Sequence, residues 1–301
     1  MLGIVAASLA LALAAGGHWI WPIPHLDPVD ATVLWQLRLP RALAAFAVGA
    51  LLALAGAWLQ VMLVNPLAEP YILGAASCGA LGAAMGLWLG HGQGAVAAGA
   101  WIGAMGSVLL LARFFPLGRV RLLLAGVVLG AFASALLSIV LALISPWQME
   151  AAIGWLLGDL GRMGVPTPWL WGALLALLGA GWMLADSLDR MMLGEMLARQ
   201  HGVDVARMRI WLAWLASLAT ATAVAAAGTI GFVGLIAPHA TRLVFGARHR
   251  VMLPAAALSG GAFLVFADTI ARTIAAPIEL PVGAITAIFG APLFLYLLVK
   301  R

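Results

Sequence analysis

The sequence predicts an all-α membrane protein of a single domain, residues 1–301, with ten transmembrane helices per chain in inverted-repeat-like halves. Three observations lead there. Of the 301 residues, 64% are apolar and 9% charged, where a soluble domain carries about 25% charged residues. The apolar residues run without alternation over stretches of about 20, the length a helix needs to cross a hydrocarbon core, whereas membrane β-strands alternate over about ten. The 16 basic residues gather between those stretches, mostly on one side. So apolar a chain leaves no room for an ATPase, receptor or enzyme module, which must come from another chain.

The first span is Leu2 to Trp21; with no Lys or Arg ahead of its apolar run it lacks the basic start of a secretory signal. Leu43–Val64 follows and stops at a polar break. Tyr71–Leu89 and Ala95–Phe114 are rich in Gly and Ala, which let membrane helices approach closely. Leu122–Ile144 carries small residues at helical spacing, and Trp169–Ala185 opens on tryptophans suited to the headgroup level. Ile210–Ala227 and Ile230–Val244 flank a second break; Val251–Thr269 and Val282–Val299 complete the ten.

An even number of spans puts Arg113, Arg119, Arg121, Arg190, Arg199, Arg207, Arg209, Arg242, Arg248, Arg250, Lys300 and Arg301 on one side, leaving Arg38, Arg41, Arg162 and Arg272 opposite. The positive-inside rule makes the richer side cytoplasmic, with both termini. The net charge of +5 is thus a topology signal; no Lys/Arg run points to nucleic acid. Cys78 has no disulfide partner and reads as a small buried residue. His18, His25 and His91 lack metal-ligand spacing, so no metal ligands are assigned.

Two polar breaks interrupt the pattern, Asn65 to Pro70 and Gly228 to Gly234 running into Pro238-His239. Non-helical backbone at membrane depth must be buried in protein or line a cavity. Ala55-Gly56, Pro66 and Gly74 recur at an offset of 172 as Ala227-Gly228, Pro238 and Gly246. Five spans separate the copies, which predicts an inverted repeat of the kind transporters use. Asp268 and Arg272, four apart, are expected to pair on one helix face and aim Arg272 outward.

Arg38-Leu39-Pro40-Arg41, Ala55-Gly56 with Gln60, Asn65 to Pro70, Leu73-Gly74, Leu122 to Gly126, Gly194-Glu195 with Ala198-Arg199-Gln200 and Gly202, Gly231 to His239 with Arg242, and Glu279 to Gly283 with Gly290-Ala291-Pro292 follow in family-like order and spacing. Over nearly its whole length the chain resembles the permease of the FecCD type. That resemblance implies a type II ATP-binding-cassette importer of the bacterial inner membrane, in which a permease homodimer works with two ATPase subunits and a periplasmic binding protein. Such permeases import ferric siderophores, haem or cobalamin, iron complexes being the commonest. ATP and Mg belong to the ATPase, and no cofactor is expected on this chain.

The resemblance also implies roles. Met192 to Arg209, the one substantial cytoplasmic insert, alternates apolar and charged residues as a short amphipathic helical pair would. No G-x-x-x-x-G-K-[ST] motif occurs, so energy must arrive by contact; Gly194, Glu195, Ala198, Arg199, Gln200 and Gly202 match the family's coupling element. Arg38, Arg41 and Arg272 match positions that receive acidic residues of the binding protein, with snorkelling to lipid phosphate as the rival reading. Arg162 has no match. Asn65 and Leu67 match an inner gate; a second gate element, built of small hydroxyl residues in the family, is Arg119 and Val120 here. Gly126, Gly130, Ser134 and Ser138 either line the path or pack against a neighbouring helix.

Two other functions compete. A ten-span secondary carrier needs no ATPase, and a membrane-embedded enzyme would need Asp159, Asp186 and Asp189 to converge on a metal, although the 11 acidic residues are dispersed.

Overall fold

The computed structural model describes residues 1–301 except 17–18, 21–26, 91, 112, 115–117, 162–167 and 300–301. Arg162, Lys300, Arg301 and the histidines at 18, 25 and 91 lie outside the described residues. The described residues form helices and turns, with no strand among them. Helix α1 is Leu2–Ala14; α2, Pro28–Thr32, continues through a π-helical turn, Val33–Arg38, into α3, Leu39–Leu63. A 3-10 turn, Pro70–Leu73, precedes α4, Ala75–Trp88, followed by α5, Gly92–Leu111, α6, Arg119–Leu143, and α7, Pro146–Leu156. Then come α8, Pro168–Met183, α9, Ala185–Met192, α10, Glu195–Gln200, α11, Val205–Ala227, α12, Val233–Phe245, α13, His249–Thr273, and α14, Val282–Val299.

Every predicted span holds a helix. Five stretches are long and apolar enough to cross a membrane, a sixth results if α8 and α9, bent by 57°, count as one, and α1, α4, α12 and α14 are shorter apolar helices. The chain is a multi-pass membrane protein. At its centre stands α3, with 94% of its most apolar window buried against 11% for α6. The composition explains this: α3 is apolar all round, and its glycines admit neighbouring backbones. A Cβ on Gly49 would lie 2.3 Å from the Gly260 carbonyl oxygen of α13, and one on Gly56 1.9 Å from that of Gly234 in α12. In lipid, such close approach is a main source of helix adhesion. The outer face of α6 instead presents Leu124, Val127, Val128, Phe132 and Ile139.

Four local features differ from the sequence reading. Helix α7 was not foreseen, although Pro146 at its first turn and a Ser145/Gln148 capping box announce it. The 192–209 insert holds one short helix, α10; the second member of the expected pair is the first turn of α11 itself. Arg242 lies within α12 rather than in a loop. Finally, the 172 offset carries no structural repeat: Gly56 is mid-helix where Gly228 ends α11, and Pro66 lies in a loop where Pro238 is helical. What recurs is a device. Helices α4 and α12, of 14 and 13 residues, reach only about 20 Å of a core about 30 Å thick, and each follows an irregular segment that supplies the remaining depth.

Candidate functional site

At one end of the molecule the three predicted docking arginines converge. Arg41 donates from Nε and Nη2 to the buried Asp268 carboxylate at 2.9–3.1 Å and from Nη1 to Glu279 Oε2 at 2.8 Å. The expected Arg272–Asp268 pair exists at a longer 3.7 Å, but Arg272 is not aimed outward: its side chain is 8% exposed and turned onto α1. Arg38 donates to the Leu13 and Ala14 carbonyls at 2.8 and 2.9 Å, and Arg272 donates to the Ala12 carbonyl. The last carbonyls of a helix have no partner within it and favour cations. Arg38, only 6% exposed, therefore ties α1 to α3, and Arg272 ties it to α13. Glu279 stays half exposed beside them.

The opposite end carries the coupling residues. Glu195 joins α10 to α11, accepting from Arg209 and Arg199, each at 2.8 Å. The hydrogen bond from Arg209, reinforced by both guanidinium charges, holds its carboxyl below the usual carboxylate range. Gly194 and Gly202 make the two flanking turns at φ 100° and 78°, Ala198 is buried, and Arg199, Gln200 and Met196 face outward, Met196 at 73% exposure. Asp204 caps α11 through the Arg207 N–H. At this same end Asp186 pairs with Arg250 and Asp189 with His249, whereas Asp159 accepts from the Gly161 N–H at the Arg41–Glu279 end. The three acids do not converge, and among the described residues no cluster fit to hold a metal forms.

Between the ends lie the two breaks. Helix α3 ends with the Asn65 N–H on the Gln60 carbonyl and the Val64 N–H on Val61, the pattern that normally places glycine in the left-handed position; Val64 takes it at φ 48°. The Asn65 side chain accepts from the Leu67 N–H at 3.0 Å and stiffens the loop. Beyond it, Tyr71 Oη donates to the Ile230 carbonyl at 2.9 Å and accepts the Ile230 N–H at 2.7 Å, while Glu69 accepts the Phe232 N–H. Thr229 donates to the Leu156 carbonyl at the end of α7. Side chains of one break thus satisfy the exposed backbone of the other, as burial in a membrane demands.

A cavity of about 360 Å³ opens here, walled by α4, α6, the end of α7, the 229–232 link and α14. Tyr71, Ser77, Ser134, Thr229 and Phe232 line it, and none of its described lining residues is charged. Ser134 lines the cavity and donates to Ser77 at 3.1 Å; Ser138 donates back to the Ser134 carbonyl. Gly126 and Gly130 instead pack on Ile72 and Gly74. Asn65 and Leu67 sit outside the lining on the adjoining loop, and Arg119 and Val120 begin α6. Tyr71, Thr229, Glu69 and Phe232 were not singled out from sequence; the signal was the break itself.

A helical, multi-pass protein with an uncharged cavity between interrupted helices has the build of a transport permease. The chain belongs to the FecCD transport family, whose model matches residues 4–300. It is 39% identical over 300 residues to the vitamin B12 import system permease protein BtuC of Escherichia coli, covering 97% of this chain and 91% of the relative. Identity to BtuC of Salmonella typhi is 40% over 304 residues, 99% and 93% of the two chains. Among solved structures it superposes on an inward-facing ABC transporter assigned to the metal-chelate type, with a TM-score of 0.91, 30% identity and coverage of 100% and 97%. PsaBC from Streptococcus pneumoniae, at 20% identity and a TM-score of 0.63 over 89% of this chain and 93% of that one, shares the fold.

Proposed function

We propose that this chain is the permease subunit of an ATP-driven importer, a homodimer of ten-span chains in a bacterial inner membrane that works with two cassette ATPases and a periplasmic binding protein. The full-length family match carries this reading. The end bearing Arg190, Arg199, Arg207, Arg209, Arg248 and Arg250 is then cytoplasmic, with both termini. Its α10 knob, fixed by Glu195 and presenting Met196, seats on the ATPase. The Arg38–Arg41–Arg272 end faces the periplasm and is where the binding protein docks; to receive an acidic residue of that partner, Arg41 exchanges the arm it lends to the half-exposed Glu279. The exposed apolar faces of α6 and α14 suit the second copy, so that the cavity lies on the path between chains, with the Asn65–Leu67 loop and Arg119-Val120 toward the inside. Binding-protein docking and ATP-driven closure bias outward and inward states.

The substrate is a metal chelate. Iron complexes are the commonest cargo of the FecCD type, but the relatives named above make cobalamin the first choice. An uncharged wall leaves discrimination to the binding protein. Nothing in the site favours an ATP-independent carrier. Co-purification tests the assembly: the tagged chain should retain a cassette ATPase of the same organism, and Met196→Glu, on an exposed side chain, should abolish retention without lowering yield. Retention unchanged by Met196→Glu overturns the coupling assignment.

A further inference from the structure

Among the described residues two other than glycine adopt positive φ, Val64 at 48° and Phe232 at 67°. They stand at the two breaks that build the site. A left-handed conformation is costly for residues with a Cβ and persists only where surrounding contacts over-determine it. At Phe232 those contacts are visible. Its N–H donates to the Glu69 carboxylate, and its carbonyl accepts from Leu235 and Ile236 at 3.1 and 2.9 Å, opening α12. Two residues earlier, Ile230 is clamped by the Tyr71 hydroxyl. The Phe232 side chain lies on the backbone of Gly290 in α14, so close that a Cβ there would meet Phe232 Cγ at 2.3 Å, and it forms part of the cavity wall.

One carboxylate on the loop that carries Asn65 and Leu67 therefore fixes an aromatic residue of the cavity and, through it, a contact with α14. We infer that Glu69 is a positioning residue for transport: by holding the Phe232 N–H it keeps the Phe232 ring on Gly290, and movement of the 65–70 loop releases that ring from the wall. A freed Phe232 can relax to negative φ, which turns the ring away from Gly290 and leaves its N–H to water in the cavity. This inference rests on the permease reading and adds to it a mechanical link from the inner loop to the wall of the path.

The test uses the importer in proteoliposomes, in a Cys78→Ser background with Ala287→Cys as a thiol reporter in the cavity wall. Glu69→Ala should raise the labelling rate of the reporter by about tenfold, the factor that about 1.4 kcal/mol of lost holding corresponds to. If Glu69 acts through Phe232, the same substitution in a Phe232→Gly background adds less than about twofold, because non-additivity marks residues in one chain of contacts. Gly290→Ala, which displaces the ring from the other side, should raise labelling as Glu69→Ala does, and it decides the matter if Glu69→Ala fails to reach the membrane. Unchanged labelling in these variants, or effects that multiply in the double variant, overturns the inference. The labelling pattern does not require transport, so absent uptake by the unmodified importer would count against the permease reading and not against this one.

Discussion

Arg242 donates from Nη2 to Gln60 Oε1 at 3.2 Å, while the amide nitrogen of the same Gln60 donates to the Gly234 carbonyl at 3.3 Å. A single buried amide near the end of α3 thus holds α12 at two points, one beside its start and one in its last turn. This fixes the shortened helix whose start adjoins the cavity.

Gln60→Leu fills the same space but leaves the Gly234 carbonyl and the Arg242 guanidinium short of a partner. Each buried unsatisfied group costs about 1–3 kcal/mol. The thermal midpoint of the detergent-solubilised chain should fall by several degrees, and a midpoint equal to the unmodified chain's would show that the amide does not fasten α12.

The Arg41–Asp268 fork makes a stronger prediction. Asp268 is almost wholly buried beneath Arg41 and Arg272, and removing one partner of a buried pair costs about 3–5 kcal/mol because the other charge stays behind. Asp268→Asn should sharply reduce folded yield. Arg41→Lys should give an intermediate loss, since an ammonium cannot reproduce the fork to Asp268 and the arm to Glu279 together. Size-exclusion profiles of the two variants, compared with Glu150→Gln on an exposed face of α7, check the ranking.

Gly56 and Gly234 predict a steric outcome. A Cβ at residue 56 would overlap the Gly234 carbonyl, backbone that cannot swing aside. Gly56→Ala should force α3 and α12 apart, costing about 1–3 kcal/mol or more, and should lower the thermal midpoint far more than Gly172→Ala, where nothing lies near.

Glu195 predicts a pH dependence. Its folded pKa is depressed, first by the hydrogen bond from Arg209 and then by the Arg209 and Arg199 charges. A depressed carboxylate contributes stability that is present above its unfolded value and lost as pH falls through the folded one, so the contribution is full at pH 7, starts to fall near the ordinary glutamate value of about 4.3 and is gone only below the depressed folded value. Proteolysis of the α10 segment should accelerate on acidification in the unmodified chain. In Glu195→Gln it should start faster at pH 7 and change less.

The spans were legible because long apolar runs in a chain of this length have few other uses, and the two breaks were legible because Gly and Pro stand where a helix would otherwise continue. The fate of the arginines was not. Arg38 and Arg272 meet carbonyls of α1 that lie 25 and 260 positions away in the chain, and no local pattern encodes such a meeting. Helix α7 is masked in the sequence by its closeness to α6, although Ser145 and Gln148 spell its capping box. Gly56 and Gly228 looked equivalent because both are glycine, yet one serves close packing and the other a chain reversal at φ 73°. Phe232 is the converse: its residue type gives no hint of a left-handed backbone.

The proposed permease moves substrate only as part of an ATP-driven assembly. Uptake of labelled cobalamin by proteoliposomes holding the chain with its ATPase, with binding protein outside and ATP inside, tests it most directly, with a ferric chelate in parallel. Uptake of one of these chelates should require ATP, ATPase and binding protein together. Equal uptake by the chain alone, without ATP, would contradict it.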